Sequence, residues 1–289
     1  MKVAFAASAA ELEELARPLL EARPEHHVLA TVLGAAAAHP NDDALFASIT
    51  DGGELVGAAI RTPPRRLLAT AMDEAAAAVL MEAWLERDPA LPGVSAPEPA
   101  AGLLAGTFER LARGRSELEV AVAVHRLDRV IAPARPATGA LRVCDQADRE
   151  LLIEWTVAFA LEAGEDHGDA ERVIERALEA GRRFVWEDGG EPVAMVGINP
   201  AVGGVVRVGP VYTPPQRRAR GYASSAVAAL SELALARGAR ACMLLTDLAN
   251  PTSNRIYAAV GYERFADWGE YRFSGGGVDR DAAAQPPGE

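Results

Sequence analysis

Cysteine is scarce in this chain, with two in 289 residues, and Lys2 is the only lysine. Cys144 and Cys242 are too few and too far apart in sequence for a disulfide framework. Five histidines stand in no Cys/His cluster with metal-ligand spacing, so no metal site is expected. Aromatic residues make up 6% of the chain, and no apolar run approaches the ~20 residues that span a bilayer. The opening Met1-Lys2-Val3-Ala4-Phe5 is soon followed by Glu11, Glu13 and Glu14, which does not fit a signal peptide. A cytoplasmic protein without membrane contact is the expectation. Positive charge is also short: the formal net charge is −12. Nucleic acid needs a basic footprint to release counterions, so it is not an expected partner. An acidic surface mildly suits a cationic substrate such as an amine.

What is abundant is apolar surface, with 49% hydrophobic residues, enough for one large domain or two ordinary ones. The first half predicts a strand at Lys2–Ala6, a helix at Ala9–Ala22 capped by Ser8, and a second helix at His26–Ala38. Strands follow at Ala44–Thr50, Glu54–Ile60 and Leu67–Ala71, helices at Asp73–Glu86 and Pro99–Arg113, and a strand at Glu117–His125. His26, His27, His39 and His125 read as packing or surface residues. Ile131–Gly139, with Pro133, Pro136 and Gly139, is the most linker-like internal stretch.

After it the order of elements begins again. Ala140–Val143 reads as a strand, Asp148–Ala163 and Ala170–Ala180 as helices, and Phe184–Glu187 with Val193–Ile198 as a hairpin. Ala241–Thr246 reads as a strand, Pro251–Val260 as a helix, and Tyr262–Phe265 with Glu270–Phe273 as a closing pair of strands. Both halves share D-G-G-E-x-V, at Asp51–Val56 and Asp188–Val193, which is hairpin-turn chemistry. The repeated motif within a repeated element order indicates a duplication. From Ser274 the chain is glycine-rich and ends Gln-Pro-Pro-Gly-Glu, and 275–289 is expected to be a disordered tail.

The most informative stretch is Val208–Ser225. Val205–Thr213 is β-branched and strand-like until Pro214-Pro215 ends it. A basic turn follows, Arg217-Arg218-Ala219-Arg220-Gly221, and from Tyr222 the pattern is helical to a cap at Gly238. A strand, a basic glycine turn and a helix N-terminus build an anion site, because unpaired N–H groups and the helix dipole converge there.

Arg218-Ala219-Arg220-Gly221-Tyr222-Ala223 resembles the Q/R-x-x-G-x-G/A loop of the GCN5-related N-acetyltransferase (GNAT) family. Asn250-Pro-Thr-Ser-Asn254-Arg-Ile-Tyr257-Ala-Ala-Val-Gly261-Tyr262 resembles that family's N-x-x-(A/S)-x-x-x-Y-x-x-x-G-F/Y segment. The resemblance covers about Leu141 to Phe273. It implies an α/β (α+β) fold of two tandem domains, each a mixed, mainly antiparallel sheet flanked by helices. Residues 1–134 would be a degenerate copy and 135–274 the catalytic one.

The resemblance also implies an acetyl-CoA-dependent N-acetyltransferase that passes an acetyl group directly to a primary amine of a small molecule or peptide. By position, Arg218, Ala219, Arg220, Gly221, Tyr222, Ala223 and Ser224 would hold the CoA pyrophosphate. Val211, Tyr212 and Thr213 would line the pantetheine arm, with an N–H of Val211 or a neighbour as oxyanion donor. Asn250 and Asn254 would cap their helix and touch CoA, and Tyr257 would be the general acid. No acid lies on Val205–Thr213, where many members place a base, so Glu162, Glu165, Asp166, His167 and Asp247 are all candidates. The first half has no matching loop, and Asp73-Glu74 set carboxylates at the start of its equivalent helix. The alternatives are a CoA-binding regulatory protein without turnover and a tandem enzyme resembling mycothiol synthase.

Overall fold

The computed structural model describes residues 1–164 and 168–275. The tail expected at 275–289 therefore lies, beyond its first residue, outside the described residues. The first half contains β1 (Lys2–Phe5), α1 (Ala9–Ala22), α2 (His27–Ala38), β2 (Leu45–Asp51) and β3 (Glu54–Arg61). It continues with β4 (Leu67–Ala69), α3 (Glu74–Arg87), β5 (Gly93–Pro97), α4 (Ala100–Ala112) and β6 (Arg115–Leu127). The second half contains β7 (Ala140–Val143), α5 (Arg149–Ala163), α6 (Ala170–Glu179), β8 (Arg183–Asp188) and β9 (Glu191–Ile198). It ends with β10 (Val205–Tyr212), α7 (Tyr222–Ala236), β11 (Ala241–Asp247), α8 (Pro251–Val260) and β12 (Glu263–Ser274). Helix follows strand in the same sequence in both halves, element for element.

Local chemistry sets many of these boundaries. Ser8 caps α1 by accepting from the Glu11 N–H at 3.2 Å, and the Glu11 carboxylate returns to the Ala7 N–H at 2.8 Å. Both D-G-G-E turns are tight: Gly52 and Gly53 have φ of 57° and 94°, Gly189 and Gly190 of 60° and 82°. Two consecutive positive φ angles match the twist of the flanking strands and suit glycine. No helix among the described residues is long and apolar enough to cross a membrane.

The chain forms two compact units, Met1–Ala123 with the chain from Ala266, and Val124–Phe265. It leaves the first unit within β6 and re-enters it within β12. The first unit's sheet has the order β1-β2-β3-β4-β5-β12-β6. Its pairs β1–β2, β2–β3, β3–β4 and β5–β12 are antiparallel, and β4–β5 is parallel. One face is covered by α3 and α4, which bury Leu80, Met81, Trp84, Leu104 and Phe108. The other is covered by α1 and α2 through Leu12, Leu20, Leu29 and Leu33. In the second unit the order is β7-β8-β9-β10-β11-β6, antiparallel from β7 to β10 and parallel at β10–β11. Val227, Leu230, Val208 and Leu244 pack on one face, and Leu152, Trp155, Ile174 and Met195 on the other.

Two expectations fail here. Tyr262–Phe265 and Glu270–Phe273 are not a pair of strands but parts of one continuous strand, β12. Gly269, between the two expected strands, is extended rather than left-handed; a Cβ there would collide with the Glu98 carboxylate and approach Ala101 at 3.1 Å. The glycine allows close approach, not a turn. The strand β5 was not expected at all, because Gly93-Val-Ser-Ala-Pro97 is short and ends in proline. It exists through pairing with β4 and with Trp268–Arg272 of β12.

The end of β12 completes the first unit's core. Phe273 stacks on Phe108 with ring centroids 3.9 Å apart and planes 9° from parallel. Phe273→Ala is expected to cost ~3–5 kcal/mol, the usual loss for a buried phenylalanine. Phe265→Ala, on the same strand but exposed, is expected to change stability by about 0.5 kcal/mol or less. Urea unfolding of the two variants checks this, and equal effects contradict it.

Candidate functional site

In the second unit β10 and β11 share a parallel ladder only at Val205–Arg207 with Ala241–Met243. Both strands run on, to Tyr212 and Asp247, so they part beyond that point. On its other side β10 stays paired to β9, with Val211 opposite Val196 and Tyr212 opposite Met195, after a bulge between Val208 and Val211. Asn199 braces the bulge, its side-chain amide donating to the carbonyls of Arg207 and Gly209, each at 3.3 Å. Successive N–H groups along a strand point to opposite sides. One of Val211 and Tyr212 therefore turns its N–H away from β9, into the gap. The Thr213 hydroxyl beside them is buried and has no partner among the described residues.

The chain then crosses to α7 through a short 3-10 turn at Pro215–Arg217. Ala219 has φ of 61°, costly for a residue with a Cβ, and Gly221 at the N-cap has φ of 83°. Gly221 has no side chain, so nothing caps the first turn of α7. The N–H groups of Tyr222, Ala223 and Ser224 therefore have no side-chain cap at the positive end of the helix dipole. The equivalent helix of the first unit differs: Asp73 caps α3, its carboxylate accepting from the Ala76 N–H at 2.8 Å, and Glu74 sits in the first turn.

Asp188, Thr138 and Ala137, which were not among the expected site residues, hold the start of α7 in place. The Tyr222 hydroxyl donates to Asp188 at 2.7 Å, and the Thr138 hydroxyl donates to the same oxygen at 2.9 Å. These two bonds keep the Asp188 carboxyl below its ordinary range, and the carboxylate in turn raises the Tyr222 phenol. Ser225 Oγ accepts from the Ala137 N–H at 2.9 Å, and Ile131 N–H donates to the Val260 carbonyl at 2.7 Å. The linker-like stretch is thus bonded to the second unit at both ends. The sequence signalled Asp188 only as a hairpin residue.

The loop arginines are engaged. Arg217 pairs with Glu191 at 2.6 Å. Arg218 Nε donates to the Thr213 carbonyl at 2.8 Å, while Nη2 reaches both oxygens of Glu162, at 2.8 and 2.6 Å. The Tyr212 hydroxyl lies 3.5 Å from the same carboxylate. Arg220 lies by the Tyr222 hydroxyl and the Asp188 carboxylate, and its charge draws both groups downward. The structure thus brings Glu162, Tyr212, Thr213 and Arg218 together at the end of β10. Glu165, Asp166 and His167 lie outside the described residues.

At the start of α8, Asn250 accepts from the Ser253 N–H at 3.1 Å, an ordinary cap. The Asn254 amide donates to the carbonyls of Asp247 and Leu248 at 3.2 and 3.4 Å. Its side-chain oxygen is buried and has no partner among the described residues. Asp247 Oδ1 accepts from the Ala249 N–H at 2.7 Å, so this carboxylate shapes the turn into α8. Tyr257 packs on the core edge-on to Tyr262, with ring centroids 6.2 Å apart. Burial pushes its phenol up to about 12. Burial also pushes the Cys144 and Cys242 thiols up, to about 12 and about 11, which makes both unreactive. His26 is a packing residue as expected, its ring nitrogens bonded to the Leu19 carbonyl and the Ala71 N–H, each at 3.1 Å.

Residues 149–262 match the model of the acetyltransferase (GNAT) family. No curated protein matches the chain. Among solved structures, a GNAT-family acetyltransferase from Colwellia psychrerythraea superposes with a TM-score of 0.66 at 12% identity, covering 95% of this chain and 100% of its own. A GCN5-related N-acetyltransferase from Sphaerobacter thermophilus gives 0.63 at 14% identity, over 93% of this chain and 95% of its own. A tandem GNAT protein from the clavulanic acid biosynthesis pathway gives 0.61 at 15%, over 94% and 98%. At these identities the likeness establishes the fold, and with it the mixed α/β architecture expected from the sequence.

All five tyrosines are held above the ordinary phenol value, chiefly by burial except at Tyr222, where the Asp188 bond leads. A raised native value stabilises the fold below the unfolded value of ~10 and is lost as pH rises through the native one. Tyrosinate absorbance is therefore expected only above pH ~10, with thermal stability falling over the same range. Tyr257→Phe should remove part of that alkaline loss. Ionisation of any tyrosine near pH ~9 contradicts this.

Proposed function

We propose that the GNAT acetyltransferase domain of this chain, residues 149–262, transfers an acetyl group from acetyl-CoA directly to a primary amine. The observation that carries the reading is the uncapped first turn of α7 at the mouth of the gap between β10 and β11. Three N–H groups without a side-chain cap, beside Arg220, suit a pyrophosphate, and Gly221 lets it approach. The gap suits the pantetheine arm. The orphaned Thr213 hydroxyl and Asn254 side-chain oxygen offer it polar partners.

In this reading the amine attacks the thioester carbonyl, and the N–H of Val211 or Tyr212 receives the developing oxyanion. The carbon–nitrogen bond forms, the carbon–sulfur bond breaks, and the thiolate takes a proton that Tyr257 supplies. Tyr257 regains it from the proton the amine has lost. Direct attack fits a chain whose two cysteines are buried with raised thiol values. An alkylamine is neutral about once in ~2,500 molecules at pH 7, so the rate should rise with pH below ~10. The first unit keeps the fold without the donor site, since Asp73 already occupies the start of its helix. The reading includes a cytoplasmic location and an amine on a small molecule or peptide.

Calorimetry should give one acetyl-CoA per chain. Gly221→Asp puts at α7 the carboxylate that α3 already has, while Gly221→Asn adds the same bulk without charge; both residue types tolerate a left-handed backbone. A like charge ~4 Å from a phosphate costs about 4 kcal/mol near a protein surface, so Gly221→Asp should weaken binding by ~10²-fold or more beyond Gly221→Asn. Equal losses, or two sites per chain, contradict the assignment. Thiol release with a panel of amino acids, polyamines, amino sugars and a lysine peptide then identifies the acceptor. Tyr257→Phe should lower kcat by ~10²-fold with CoA affinity kept. Binding without turnover of any amine would make the protein a CoA-responsive regulator instead.

A further inference from the structure

Glu162 and Arg218 come from the two sides of the proposed reaction. Glu162 lies in the last turn of α5, facing the end of β10, and Arg218 begins the loop assigned to the pyrophosphate. Both side chains are close to half exposed, at 47% and 46%, so the pair is open to a competitor. Arg218 is anchored through Nε on the Thr213 carbonyl, and Nη2 alone makes the contact with Glu162. A turn of the guanidinium about that anchor exchanges its anion without moving the backbone. A pyrophosphate carries more charge than a carboxylate and offers the bidentate geometry that arginine prefers. Two anions therefore have a claim on one arginine.

We infer that Arg218 passes from Glu162 to the CoA pyrophosphate when the donor binds, and that the released Glu162 carboxylate then holds the ammonium of the acceptor. This rests on the reading of the second unit as an acetyltransferase and names the residue that receives its amine. Ion-paired to Arg218, Glu162 is electrically satisfied and attracts a cation poorly. Freed, it is a negative charge within reach of the Tyr212 hydroxyl, which lies 3.5 Å away at the end of the strand that would present the thioester. It also supplies the carboxylate that β10 itself lacks. The donor thus prepares the acceptor site, and the amine is favoured only when there is a thioester to attack.

Calorimetry with CoA tests the exchange without knowledge of the acceptor. Glu162→Gln should tighten CoA binding by ~3–10-fold, since the phosphate no longer competes for Arg218. In an Arg218→Gln background the same substitution should have no effect. Pantetheine, which has no pyrophosphate, should bind Glu162→Gln and the unaltered protein alike. Equal tightening in both backgrounds would mean simple charge repulsion and overturn the exchange. With the amine that the panel turns over fastest, at saturating acetyl-CoA, Glu162→Gln should raise KM for the amine by ~10-fold or more and leave kcat within a few-fold. An unchanged KM overturns the role in acceptor binding. Failure of the unaltered protein to bind CoA would instead remove the acetyltransferase reading on which this rests.

Discussion

An α-helix begins with N–H groups that its own backbone cannot satisfy, and what satisfies them separates the two halves of this chain. At α3 the Asp73 carboxylate caps the first turn. At α7 the corresponding place is Gly221, with no side chain to offer. The same element order therefore yields one helix closed by its own residue and one whose first turn has no side-chain cap. Much of the second unit's polar bonding serves the uncapped end. Asp188 binds Tyr222, Thr138 binds Asp188, and Ser225 takes an N–H from the linker. These bonds tie the start of the helix to the β8–β9 turn and to the stretch before β7. They spend none of its first-turn donors.

The parting of β10 from β11 depends on a second constraint, the bulge. Gly209 and Pro210 drop out of register with β9, and Asn199 fills the irregularity by donating to two carbonyls. A bulge bends its strand and increases the local twist. A strand that bends away from one neighbour while still paired to the other opens a cleft without losing its place in the sheet. Arg183, buried across Gly197 close to the Gly209 carbonyl, packs against the same irregularity, and a Cβ at position 197 would collide with it. Removal from water pulls its guanidinium down to about 10, yet it remains charged at neutral pH.

How much of this was legible in the sequence depends on how far each signal reaches. Ser8 and Asn250 act within their own helices, so α1 and α8 begin where the sequence places them. The D-G-G-E turns are equally local. β5 and β12 are stabilised by each other, across more than 150 residues of chain, and neither was read correctly. The close packing of Gly269 against Glu98, which keeps β12 continuous, cannot be seen in sequence. The candidate site divides in the same way. In the loop Arg218–Ala223 the positive φ of Gly221 follows from its residue type, whereas that of Ala219 does not. The pairing of Arg218 with Glu162, and of Tyr222 with Asp188, comes only from folding.

The proposed acid raises a question of proton affinity that the interior itself helps to answer. A phenol pushed up to about 12 is a poor donor to a thiolate of ordinary value, ~8.5; the gap of ~3.5 units is nearly 5 kcal/mol uphill. The thiolate, however, is not released into water. Thiols buried in this same protein are pushed up to about 12 at Cys144 and about 11 at Cys242, both chiefly by loss of solvent. A leaving thiolate in a comparably dry cleft gains proton affinity for the same reason that Tyr257 does. Desolvation raises both partners together and so narrows the gap between them. Proton transfer is most effective between groups of matched affinity. A phenol of ordinary value, ~10, is already protonated at neutral pH, and the burial of Tyr257 widens that margin while raising its partner's affinity in the same direction.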